Sequence, residues 1–152
     1  MEKSAYIKLV EGSTQAKIDL QGVENLLRQY QEMLKKTGQQ LDSDYTQWAF
    51  PYQMEKKNDG EHYWLQLTSK EPMKYKYILM GVGNEEVIVP AENEENANPQ
   101  TITRSYIQVV LPDVAMQSDK GKANEFCKFM AKQLKAELHM FNGRILYYNP
   151  RK

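Results

Sequence analysis

Cysteine occurs once in this chain, at Cys127, and histidine twice, at His62 and His139. A single thiol excludes an internal disulfide, and Cys127 falls on a helical apolar stripe where a small hydrophobe is expected, so a reactive thiolate has no support. Neither histidine stands near Cys, Asp or Glu at the spacing of zinc ligands. No glycine-rich loop precedes a helix, and Gly81-Val82-Gly83 leads into a strand-like segment, which removes the usual phosphate cradle. The Gly-x-Ser-x-Gly pattern of serine nucleophiles is absent. The expectation is therefore no catalytic residue, no cofactor and no metal, which leans against an enzyme. Glu137 and His139, on one strand face, form the only compact acid–base pair.

Net charge is also missing, with twenty Lys and Arg against twenty Asp and Glu. No overall field steers the chain toward nucleic acid or an anionic membrane. Residues 120–152 do carry eight Lys or Arg against two Glu, an excess that reads as a solvated helix face. No apolar run is long enough for a signal peptide or a membrane span, so the sequence predicts a cytoplasmic protein without a membrane partner. At 152 residues it is large enough for one ordinary core, and no linker or repeat divides it, so residues 1–152 are read as one domain.

Against these absences stand two helical stripes. Val23, Leu26, Leu27, Tyr30, Met33 and Leu34 recur at helical spacing after Asp19, a good N-cap, and Thr37-Gly38 supplies a stop signal. Ala123, Phe126, Cys127, Met130 and Leu134 repeat the pattern after Ser118 or Asp119, with lysines on the opposite side, giving a helix over 119–135.

Elsewhere the period is two. Residues 5–10 read as a strand closed by Glu11-Gly12-Ser13, and residues 45–55 as a half-buried strand that Pro51 confines to an edge, a bulge or a break. Asn58-Asp59-Gly60 turns into a strand over 62–68. Residues 73–80 form another, with Gly81-Val82-Gly83-Asn84 as a turn to residues 86–89. Residues 91–100 lack apolar periodicity and read as a mobile loop before a strand over 101–111. After the second helix, residues 136–148 make a hairpin. If Asn142-Gly143 are its two loop residues, Leu138, Met140, Ile145 and Tyr147 lie under the helix, and His139, Phe141, Arg144, Leu146 and Tyr148 face outward. The whole reads as an α+β two-layer sandwich, a mainly antiparallel sheet of about six to eight strands with two helices packed on one face.

Such a fold leaves the other sheet face open, and the chain is rich in amphipathic aromatics, with ten Tyr, four Phe and two Trp. These residues bury area at low entropic cost where proteins meet partners. The favoured reading is a small protein-interaction module using exposed sheet surface or an edge strand to bind an unknown protein or a second copy. The possible surface is Trp64, His139, Phe141, Arg144, Leu146 and Tyr148. A weak single-stranded nucleic-acid binder is the alternative, with Lys74-Tyr75-Lys76-Tyr77 nearest to a stacking strip, but its lysines and tyrosines alternate onto opposite faces and nucleic acid is disfavoured. An enzyme of unrecognised class ranks third.

Three segments, residues 5–13, residues 121–129 and residues 138–148, carry a resemblance to a family of small cytosolic proteins from Bacillus-like bacteria classed only as a domain of unknown function. The resemblance extends over essentially the whole chain and implies an α+β fold, with no activity or catalytic residue to carry over. The run Leu41-Asp42-Ser43-Asp44-Tyr45 is similar to a Phe-Asp-Ser segment of the FKBP-type prolyl isomerases, but the Val-Ile-x-Gly-Trp stretch of that family does not follow it.

Overall fold

Alternating apolar side chains and two amphipathic stripes assemble, in a computed structural model, into one sheet with two helices against it. The structure describes residues 3–41, 49–89 and 99–150, the side chains of 37–41 excepted. In chain order the elements are β1 (Lys3–Lys8), α1 (Leu20–Leu41), β2 (Tyr52–Asn58), β3 (Tyr63–Ser69), β4 (Tyr77–Val89), β5 (Gln100–Leu111), α2 (Gln117–Leu134), β6 (Glu137–His139) and β7 (Ile145–Tyr147). The seven strands form one antiparallel sheet in the order β2-β3-β4-β5-β1-β6-β7. This is the expected α+β class, and the N-terminal strand sits near its centre, between β5 and β6.

Register explains the core. Leu65 pairs with Met80, Met80 with Val109, Val109 with Ala5, Ile107 with Ile7, and Ile7 with Leu138, so paired residues share one face. All of them are buried. Onto this face the two helices bring Val23, Leu26, Leu27, Tyr30 and Leu34 from α1 and Ala123, Phe126, Cys127, Met130 and Leu134 from α2, all buried in the same cluster. Met33 is the one member of the first stripe that stands exposed. Where α1, α2 and the start of β2 meet, Tyr30, Phe50, Tyr52 and Phe126 pack edge-on or tilted, with ring centroids 5.1–6.3 Å apart.

Asp19 caps α1 as expected, its Oδ1 accepting the Gly22 N–H at 2.8 Å. The helix does not stop at Thr37-Gly38 but continues to Leu41. Pro51 lies just before β2, an edge strand, so its missing N–H is spared a ladder position. Residues 42–48, which hold the Asp-Ser-Asp run and the start of the expected strand over 45–55, lie outside the described residues, as do residues 91–98 of the expected loop.

Four further expectations are corrected. Residues 72–74 form a turn, the strand starts at Tyr77, and it runs straight through Gly81-Val82-Gly83-Asn84 to Val89 because β5 pairs with it from Leu79 onward. Helix α2 starts earlier than Asp119, which becomes its third residue and reaches back to accept the Met116 N–H at 2.8 Å. The C-terminal hairpin turns on three residues: Met140 N–H donates to Arg144, Gly143 N–H donates to Met140, and Gly143 has φ +87°. The extra residue shifts the register by one, so Leu138 pairs with Leu146 and His139 with Ile145. Leu146 therefore turns toward the core, and Ile145 and Tyr147 turn outward.

Candidate functional site

The helices cover one face of the sheet, and no described element lies over the other. Its middle is built by strand pairing. One row across the central strands reads Gly81, Gln108, Tyr6, His139 and Ile145, and the next reads Gly83, Tyr106, Lys8, Glu137 and Tyr147. A third, Gln66, Leu79, Val110 and Ser4, continues toward β3. Apart from the more exposed Ile145 and Tyr147, these residues are half-buried by their neighbours alone.

Two tyrosines dominate the centre. Tyr6 and Tyr106 meet edge to face with centroids 5.9 Å apart. Tyr106 reaches across β4, so close that a Cβ on Gly83 would collide with the Cζ and Oη end of its ring. Gly83 is thus the floor under that ring. The Gln108 amide donates to Ser4 Oγ at 3.2 Å and to Tyr6 Oη at 3.4 Å. Beside them, Tyr6, Lys8, Asn84, Glu85 and Tyr106 line a shallow cleft of about 240 Å³. Lys8 Nζ stands 3.9 Å from Glu85 Oε1, longer than a charge-assisted hydrogen bond, so both heads keep hydrogen-bonding capacity for a partner.

The pair suggested by sequence is formed: His139 Nε2 lies 2.7 Å from Glu137 Oε1. Its flanking sheet positions are Tyr6 and Ile145 beside His139, and Lys8 and Tyr147 beside Glu137. Among the described residues no group of three or more His, Cys, Asp or Glu could hold a metal ion. Burial pushes the Cys127 thiol up to about 12, which leaves it protonated and unreactive at neutral pH.

The six residues picked from sequence do not converge. Trp64 and His139 share the open face but stand on β3 and β6, four strand spacings or about 19 Å apart. Phe141 lies in the hairpin turn, half-buried against the core, and Arg144 is exposed beside it. Leu146 and Tyr148 pack partly against the core. The residues that do cluster, Tyr6, Lys8, Tyr106 and Gln108, were legible only as the polar half of each strand's alternation. Strand order, which no local pattern encodes, brings them together.

Asp119, read from sequence as a helix cap, is fully buried at 0 % exposure. Its Oδ1 accepts from the Tyr52 hydroxyl at 2.5 Å, and both its oxygens accept from the Lys76 N–H at 3.0 and 2.9 Å. Ser118 Oγ donates to the Lys74 carbonyl beside it. This cluster ties α2, β2 and the approach to β4 together beneath the sheet's far side, and every donor in it already has its acceptor.

No helix of the described residues is long and apolar enough to cross a membrane. A solved structure titled as a protein of unknown function from Bacillus stearothermophilus is 34% identical, with a TM-score of 0.48, over 88% of this chain and 91% of that one. No curated protein matches. The family described as "Domain of unknown function (DUF1885)" matches residues 3–150. With nearly every residue inside that match, the chain belongs to the DUF1885 family.

Proposed function

We propose that this chain is a single-domain cytoplasmic interaction module that binds another protein through the open face of its sheet. The observation that carries the reading is the uncovered pair of rows centred on Tyr6, Lys8, Tyr106, Gln108, Glu137 and His139. Amphipathic rings flanked by a lysine, two carboxylates and an amide suit a protein surface that is partly apolar and partly hydrogen-bonding. The mixed charge supports a protein over nucleic acid, which needs a basic track along its phosphates.

Affinity capture from nuclease-treated native lysate tests this, using the natural chain beside Tyr6→Ser and Tyr106→Ser. The expected result is a stoichiometric protein partner that both substitutions release while circular dichroism stays unchanged. Capture that ignores both substitutions, or that vanishes with nuclease and weakens steeply with salt, overturns the reading.

A further inference from the structure

Strands β4 and β5 outrun the rest of the sheet. β3 pairs with β4 only at Tyr77–Met80, and β1 pairs with β5 only at Tyr106–Leu111, yet β4 and β5 remain paired from Asn84↔Ser105 to Val89↔Gln100. Among the described residues this arm is a two-stranded ribbon with no third strand, about 17–20 Å long. A ribbon of two strands is only marginally stable in water. This one also shows apolar side chains on both faces: Val87 opposite Ile102 on one, and Ile88, 71 % exposed, on the other.

The free edge of β5 has a definite hydrogen-bonding pattern. Ser105 N–H donates to Ala16 and its carbonyl accepts from Leu9, so its backbone groups point away from β4. The register has no break, so Thr103 and Thr101 point the same way, while Arg104, Ile102 and Gln100 point into the β4 ladder. Gln100-Thr101-Ile102-Thr103-Arg104 contains neither proline nor lysine, the residues that commonly blunt an exposed edge. The outer edge of β4 carries Glu86 and Ile88 instead, with Glu85 beside them.

We propose that the β5 edge of this arm pairs antiparallel with the same edge of a second copy, about a two-fold axis at Ile102. Antiparallel self-pairing satisfies two-fold symmetry by itself. In this register Thr101 faces Thr103 of the second copy and exchanges backbone hydrogen bonds with it, giving four in all, and Arg104 faces Gln100, so no like charges oppose. The row Val87–Ile102 then continues into its own copy, making four β-branched residues in line across a four-stranded arm. The extra strands supply the support that the lone ribbon lacks. This surface differs from the open face, so either proposal can fail alone.

Sedimentation velocity of the full chain, from micromolar to near-millimolar concentration, is the test. A concentration-dependent dimer is expected. Thr103→Pro should weaken it about tenfold to a hundredfold, because the lost N–H points away from β4 and the monomer's own ladder keeps every bond. Ile102→Cys should form a disulfide-linked dimer under mild oxidation, since Cα atoms opposite each other in this kind of pair stand about 4.5 Å apart. Val87→Cys should not, lying about 14 Å from its copy. A monomer at every concentration, or a dimer indifferent to Thr103→Pro, overturns the proposal. If Thr103→Pro unfolds the chain, the Ile102→Cys result decides: linkage supports the pairing, and failure to link refutes it.

Discussion

The Tyr52 hydroxyl donates to Asp119 Oδ1 at 2.5 Å, joining an edge strand to the first turn of α2 across 67 residues of chain. The carboxylate is buried and also accepts from the Lys76 and Met116 N–H groups. Tyr52→Phe leaves both backbone bonds in place and should cost about 2 kcal/mol, the usual worth of a hydrogen bond to a charged group. Asp119→Ala takes the acceptor from three donors, the buried Tyr52 hydroxyl and the part-buried Lys76 and Met116 N–H groups, and should cost about 3–5 kcal/mol. Urea unfolding of the two single variants and the double variant checks the order. Equal losses for the single variants would show that the backbone bonds contribute nothing.

Stability should fall at alkaline pH with a recognisable origin. Burial pushes the Cys127 thiol up to about 12, from an ordinary 9.0. Between those values the unfolded chain has released the thiol proton and the folded chain has not, so the slope is negative, at most about 1.4 kcal/mol per pH unit. Below pH 9.0 this contribution to stability is fully present, and it is lost as pH rises toward 12. Burial, then the bond to Asp119, also raises the Tyr52 phenol, adding a second loss above its ordinary 10.0. Cys127→Ala should flatten the first part of the decline in denaturation curves taken across this range.

Gly83 and Tyr106 are coupled through contact. Gly83→Ala must displace the Tyr106 ring, at a cost of about 1–3 kcal/mol. In a Tyr106→Ala background the same change should be close to neutral. A double-mutant cycle with no coupling would mean that the ring does not rest on Gly83 in solution.

The hairpin register can be tested by truncating neighbours. Leu146 faces the core and Ile145 the open side, so Leu146→Ala should cost about 1–2 kcal/mol and Ile145→Ala about 0.5 or less. The reverse order would restore the two-residue turn read from Asn142-Gly143.

Lys135 closes α2 in the left-handed region, at φ 52° and ψ 49°. A side chain is strained there and glycine is not, and the lysine head is exposed. Lys135→Gly should therefore stabilise the fold by about 0.5–1 kcal/mol, raising the melting temperature by about 1–4 °C.

Both helices were legible because an apolar stripe is a local property: the residues that must face the core are three or four apart, wherever the core lies. Strand character was legible for the same reason. The errors fell where a local signal had more than one solution. Asn142-Gly143 suits a two-residue turn, yet one more residue lets Gly143 take the positive φ and Leu146 join Leu138, and core burial favours that solution. Gly81-Val82-Gly83-Asn84 looks like a turn until β5 lies alongside, and the ladder then holds it extended.

Outside β7, whose faces the three-residue turn reversed, the alternation of each strand by itself determined which side chains would leave the core, and with it the existence of an open face carrying Tyr6, Lys8, Gln108 and His139. Which of them would be neighbours was decided only by strand order. Trp64 and His139 stand far apart, while Tyr6 and Tyr106, a hundred residues apart in the chain, meet edge to face with ring centroids 5.9 Å apart. The β5 edge beyond β1, which no described strand pairs, belongs to the same level. Its sequence reads as any strand, and only the lengths of its neighbours leave Thr101 and Thr103 facing outward. Pairing between distant segments is chosen by the total burial and hydrogen bonding of the sheet, a sum no single window of sequence contains.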